Sequence, residues 1–278
     1  MSSATDLARA PARRDRRRAA RAPARRRPAV LALRAAFVLA ALAAWQLVVV
    51  TGAISDDAVA APTSVARELP AILSDLAFWS AAWDTVRTWG IGLLVSMALA
   101  IPIGLVLGSS DLAYRMSRFT IDFLRTIPPV ALIPLALLLY GATLQMALLL
   151  VVFGSTGPLL LQSMYGAQQV DPQLRDVVRG YLLRRRDVAL RLVLPTAAPF
   201  IATGVRISAT MSLLLAVGAE YIGSAPGLGA TIRVYEQTSN IPQMYAYIVV
   251  CAGLGALLNL TMMRLERRIM AWAPSHRS

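Results

Sequence analysis

Predominantly apolar runs of roughly 20–26 residues recur six times along the chain, at about 29–51, 84–108, 119–140, 143–165, 197–222 and 242–263. At about 1.5 Å of rise per residue, each is long enough for a helix to cross an apolar layer about 30 Å thick. The pattern predicts an all-α integral membrane protein with six transmembrane helices. Small residues punctuate the runs. Gly104 and Gly108 lie one turn apart in the second, and Gly253 and Gly255 mark the sixth. Small residues let helices approach closely in lipid, and packing within one bundle is the expected use of them. Pro102, Pro128, Pro129 and Pro134 interrupt runs two and three, which buried helices tolerate when neighbours satisfy the freed carbonyls.

The polar segments between the runs carry the orientation. The segment before the first run is heavily basic. The 52–83 segment has one arginine, Arg67, against Asp56, Asp57, Glu68 and Asp75. Arg115 and Arg118 lie in the second connection, whereas the third, around Tyr140–Gly141–Ala142, has no basic residue. The fourth, 166–196, holds Arg175, Arg179, Arg184, Arg185, Arg186 and Arg191. The fifth has only Arg233, and the C-terminal segment holds Arg264, Arg267, Arg268 and Arg277. Basic and non-basic loops alternate, and positive charge stays on the cytoplasmic side. Both termini and residues 166–196 are therefore expected in the cytoplasm.

Composition sharpens this picture. The chain is 57% hydrophobic and 15% charged, well below the roughly 25% charged residues of soluble domains. Of the net charge of +13, +8 lies in residues 1–29, where ten arginines stand against two aspartates. That tail is rich in Ala and Pro and has no periodic apolar face, so it is expected to be disordered. A long apolar run follows it at once, so its expected partner is anionic lipid at the cytoplasmic surface rather than nucleic acid. The run is too long for the apolar segment of a signal peptide and is read as the first span.

Several chemistries are absent from the sequence. Cys251 is the sole cysteine, so neither an internal disulfide nor a cysteine metal site can form. His276 is the sole histidine and lies in the terminal tail. No paired carboxylates or serine–histidine arrangement accompanies the spans, which argues against an intramembrane enzyme. All 28 basic residues are arginine. A nucleotide-binding loop of the Walker type needs a lysine on the phosphates, so this chain does not hydrolyse ATP by that route. No catalytic, cofactor or metal residue is assigned.

The charged segment DPQLRDVVRGYLLRRR at 171–186 stands out in so apolar a chain. Asp171 is suited to cap a helix and Pro172 to its first position. Leu174, Val177, Val178, Tyr181 and Leu182 then recur at helical spacing as one apolar stripe, with Arg175, Asp176 and Arg179 pointing elsewhere. So short a helix, interrupted by Gly180, is not stable alone and needs a surface. Lipid headgroups and a groove on a protein partner both fit.

The continuation to Leu192–Val193–Leu194–Pro195 brings a family into view. Residues 176–195 resemble the cytoplasmic loop of permease subunits of binding-protein-dependent ABC importers: EAA, three residues, G, nine residues, I, one residue, LP. Here Asp176 takes the acidic position, Val177 and Val178 the two alanines, Leu182 the glycine, Leu192 the isoleucine, and Leu194–Pro195 the closing pair. Residues 123–141 (FLRTIPPVALIPLALLLYG), 219–229 (AEYIGSAPGLG), 61–67 (APTSVAR) and the terminal RLERRIMAW resemble the sulfonate, nitrate and taurine branch of these permeases.

The resemblance implies a permease in the bacterial cytoplasmic membrane. It divides the chain into a cytoplasmic tail at 1–28, a six-span domain at 29–272 with a coupling loop at 166–196, and a terminal tail at 273–278. It implies two copies of an ATPase subunit, an extracytoplasmic solute-binding protein, a homodimer of the permease and a small organic or inorganic solute, since the branch imports sulfonates, nitrate, taurine and vitamin precursors. The short helix becomes a coupling helix between spans four and five. Its ATPase contact is expected from Leu174, Arg175, Asp176, Val177, Val178, Arg179, Tyr181, Leu182, Leu194 and Pro195. Valines in place of alanines call for a wider cleft on the partner or a different docking angle, and Leu182 removes a flexible point.

Three ionisable residues are candidates for the solute pathway or a gate. Arg125 and Arg206 are placed one to two turns inside the cytoplasmic ends of spans three and five. They are suited either to attract an anion or to snorkel to the interface. Glu220, near the outer end of span five, suits a gate or a helix-to-helix contact. Ser155 and Thr156, flanked by Gly154 and Gly157, either line a passage or pack helices. A secondary transporter is the competing class, but it calls for acids near span centres, which the runs lack. A non-transporting scaffold that acts through its basic tail is the other alternative.

Overall fold

The structure is a computed structural model that describes residues 26–52, 58–181 and 183–269. All its regular elements are helical. The chain forms two units, Met1–Thr63 and Ser64–Ser278. The first contains one long apolar helix, α1 (Arg26–Val50), where the first span is expected.

The second unit is built around three long helices: α3 (Leu76–Gly108), α6 (Leu144–Gln168) and α9 (Leu194–Gly223). Their shared faces are made of small residues. A Cβ added to Gly92 would overlap Val151. One on Gly108 would meet the Met164 backbone and Ala167, and one on Gly166 would meet Ala197. Gly104 likewise sits against Ser163 and the Leu160 carbonyl. The Gly104/Gly108 pair is therefore used inside the chain, against α6. Hydroxyls fill the same seam: Ser96 Oγ and Ser155 Oγ are 2.7 Å apart, and Ser208 Oγ donates to the Ser155 carbonyl at 2.7 Å. Ser155 is fully buried, so it packs helices and lines no passage.

Around this trio lie α2 (Pro62–Ser74), α10 (Leu228–Gln237) and α11 (Ile241–Ile269). Sequence patterning misses α2 and α10, which are short and amphipathic. It draws residues 119–140 as one span interrupted by prolines, and the interruption is a sharp bend. Helix α4 (Asp111–Thr126) and the segment Pro129–Tyr140 are bent by 73°. The latter opens with a 3-10 turn at Pro129–Leu132 and continues as α5 (Ile133–Tyr140). The proline pair explains the break. Two successive residues lack an N–H, and residues preceding proline are driven to extended backbone; Ile127 and Pro128 have ψ of 114° and 123°. Lone prolines at 102, 158 and 199 are accommodated inside α3, α6 and α9. Gly141, at φ 63°, makes the tight turn from α5 into α6, a backbone that suits glycine.

Among the described residues five helices are long and apolar enough to cross a membrane, or six if the bent pair is one span.

Candidate functional site: the exposed loop helix and the ends of α9

The loop between α6 and α9 forms the short helix expected of it. Helix α7 (Pro172–Gly180) begins at Asp171, whose Oδ1 accepts a hydrogen bond from the Gln173 N–H at 2.8 Å, and Pro172 occupies its first position. It ends at Gly180. Its apolar stripe has no cover: Leu174, Val177 and Tyr181 are 48%, 52% and 77% exposed, and Val178 is half-buried. Burying such a stripe yields about 25 cal/mol per Å2, so a free one implies a missing surface. Arg175, Asp176 and Arg179 lie on α7, but their side chains, like Leu182 altogether, fall outside the described residues.

The link from α7 to α9 is unusual. A single turn, α8 (Arg185–Val188), runs into a π-helical turn at Ala189–Val193, which continues directly into α9 at Leu194–Pro195. The Leu194 N–H reaches back five residues to the Ala189 carbonyl. Pro195 has no N–H to give the Arg191 carbonyl, so the regular ladder cannot close there. Leu190 and Leu194 are exposed beside the turn, so the apolar surface extends from α7 toward the start of α9.

The other end of α9 is tied down. Glu220 is fully buried. Its Oε2 accepts from Thr85 Oγ1 of α3 at 2.8 Å and from the Gly229 N–H at 3.0 Å. Thr85 Oγ1 in turn accepts from the Leu228 N–H at 2.9 Å. Gly227, at φ 152°, lays its backbone on the Glu220 carboxylate, where any Cβ would overlap it. Arg233 closes the helix end by donating to the Tyr221 and Ile222 carbonyls at 3.2 and 2.6 Å. Glu220 is thus a joint between α3, α9 and α10.

Two arginines lie deeper than the sequence suggests. The Arg125 stem packs on Gly157, at the middle of α6, and its guanidinium pairs with Asp122 at 3.6 Å. Arg206 is level with the middle of α6 through its neighbours, since Gly204 meets Gln162 and Ser208 meets Ser155. It pairs with Glu266 of α11 at 3.6 Å, so it is a cross-helix tie. Sequence reasoning missed both Glu266 and Asp122 as partners; the i,i+3 spacing of Asp122 and Arg125 was the available signal. Among the described residues no cluster of three or more His, Cys, Asp or Glu is arranged to hold a metal.

An all-helical bundle with five or six helices of membrane-crossing length among the described residues, and a short exposed amphipathic helix between α6 and α9, has the build of a polytopic membrane subunit. Residues 100–271 match the family described as binding-protein-dependent transport system inner membrane component, and the chain belongs to it. It is thus a multi-pass inner-membrane permease and not itself an enzyme. It is 26% identical over 235 residues to a Bacillus subtilis (strain 168) permease to which aliphatic sulfonates transport is ascribed, covering 84% of this chain and 85% of that one. It is 30% identical over 184 residues to a nitrate import permease protein of Leptolyngbya laminosa, covering 66% and 65%. In fold it is similar to a chain of the MetNI methionine ABC transporter solved facing inward. The TM-score is 0.60 at 18% identity, covering 70% of this chain and 99% of that one.

Proposed function

We propose that this permease forms the solute pathway of an importer powered by a separate ATPase subunit, and that α7 is the contact through which ATP hydrolysis moves the bundle. The observation that carries the reading is the uncovered stripe of Leu174, Val177 and Tyr181 on a capped helix too short to stand alone. A groove on the ATPase supplies the surface it lacks. Asp176, Val178, Leu182, Leu194 and Pro195 complete the contact, with Arg175 and Arg179 at its polar edge.

On this reading the chain has six spans, the bent α4–α5 pair being the third, and both termini and α7 lie in the cytoplasm. Residues 1–28 are a basic cytoplasmic tail against anionic lipid, 29–272 the permease domain and 273–278 a terminal tail. Two copies pair with two ATPase subunits and receive the solute from an extracytoplasmic binding protein. The named relatives favour a small oxyanion, of the sulfonate or nitrate kind.

The test is purification of the tagged full-length chain from its host in mild detergent, with uptake assayed for the solute carried by the co-purified binding protein. Asp176→Arg and Val178→Arg are expected to insert normally, lose the ATPase and abolish uptake. Normal uptake by both variants, or no ATPase with the wild type under conditions that keep a control importer whole, would sink the proposal.

A further inference from the structure

Helix α4 presents three distinct faces. Ile121 and Tyr114 pack with Leu107, Leu160, Leu161 and Met164. Leu112, Met116, Phe119 and Phe123 form an exposed apolar stripe, 60–81% accessible, as expected of a lipid-facing surface. The third face is charged and also open. Arg118 and Arg125 flank Asp122 at 3.6 Å each, and the side chains of Arg118, Arg125 and Asp122 are 59%, 50% and 49% exposed.

The depth of this third face makes it informative. Ile121 packs level with Leu161 and Met164, Arg125 lies on Gly157, and Pro129 touches Gly154. Descending α4 therefore follows α6 from its loop end to its centre. Gly157 is eleven residues from Gln168, the end of α6, which is about 16 Å of helix. Charged side chains at such depth avoid lipid and face protein or a water-filled cavity. Half of the Arg125 side chain is left open by its own chain, and it sits where the double proline breaks the span. Interrupted helices near the midplane are where transporters place their solute sites.

We infer that the Arg118–Asp122–Arg125 face lines the aqueous solute pathway and that Arg125 is an oxyanion-binding residue at its midpoint. The inference rests on the permease reading above and assigns that pathway a residue. A guanidinium offers forked N–H donors that match a carboxylate, sulfonate or nitrate group. Asp122 has a defined part. It holds the guanidinium when no anion is present, and the entering oxyanion displaces it. The exchange keeps Arg125 compensated throughout, so the site binds without trapping, as conduction requires. Asp122 is a positioning residue in this scheme.

The experiment uses the full chain with its ATPase in inverted membrane vesicles, in a Cys251→Ser background with single cysteines introduced. The probes are two methanethiosulfonates of similar size, one bearing a sulfonate and one a trimethylammonium. Arg125→Cys is expected to react, whereas Phe123→Cys, two residues away on the apolar stripe, stays unreactive. Asp122→Cys is expected to react with the sulfonate probe at least about tenfold faster than with the cationic one, a ratio worth about 1.4 kcal/mol. Adding Arg125→Gln to Asp122→Cys brings the ratio down by at least about threefold. Protection of the Arg125→Cys thiol in vesicles that retain the ATPase would mean that lipid or a second copy covers this face, and the inference would fall while the permease reading stood. An unchanged ratio on removing Arg125 would overturn its role in binding. ATPase co-purification with each variant reports intact assembly and is read independently of both.

Discussion

The two ends of α9 are built on opposite principles. At its C-terminal end the helix is held by its own chain: Glu220 Oε2 joins α3 to the α10 turn, Gly227 presses on the carboxylate, and Arg233 caps the last carbonyls. At its N-terminal end the helix emerges from a π turn without a side-chain cap, next to exposed Leu190 and Leu194. One end is completed by the chain itself. The other presents exposed apolar side chains. On the function proposed above, the end that receives the ATPase's motion is the unfinished one, and stability is concentrated elsewhere.

The contrast breaks most severely in the α3–α6–α9 seam. Gly108→Leu drives a branched side chain into the Met164 backbone, which cannot yield as a side-chain tip can. The expected outcome is little or no folded protein in detergent, read by size-exclusion chromatography of a fluorescent fusion. A smaller effect is expected from Glu220→Ala. It leaves the buried Gly229 N–H without its acceptor, while the Thr85 hydroxyl keeps the Ala81 carbonyl at 3.2 Å, at a cost of about 1–3 kcal/mol. A thermal melt in detergent measures it, and Thr85→Val is expected to cost a similar amount, because the Gly229 bond survives but the buried Leu228 N–H loses its acceptor. At the other end, Tyr181→Ala is expected to change stability by less than about 0.5 kcal/mol, since its ring is exposed. The same substitution weakens recovery of the ATPase. A melt shift for Tyr181→Ala comparable to that of Glu220→Ala would erase the distinction between the two ends.

Much of this was legible in the sequence, for identifiable reasons. Helices α1, α3, α6, α9 and α11 announce themselves by apolar length alone. Helix α7 does so by its aspartate cap, first-turn proline and helical stripe. The bent pair α4–α5 was not legible because an averaging window runs across it. The apolar residues of α4 and α5 sum to one plausible span, and the proline pair reads as a tolerated kink when it is a break of 73°. Short amphipathic helices such as α10 disappear for the converse reason: a tertiary surface stabilises them, and no local pattern encodes that surface. The Glu220 joint was out of reach because Thr85 lies 135 residues away. The depth of Arg125 was out of reach because depth is set by Gly157 of another helix.

The π turn at Ala189–Val193 has one more consequence, and it concerns chain length. A π turn holds one residue more than the α turn it replaces, so the connection between α7 and α9 carries a single residue of slack. Loss of one residue there would convert the turn to ordinary helix and leave the register of α9 against α6 intact. The same loss within α9 would rotate everything beyond it by about 100° and carry Glu220 off Thr85. Viable one-residue deletions in a scan of residues 186–212 should therefore cluster at 189–193, where the chain can shorten and re-aim α7 without disturbing the packing of α9.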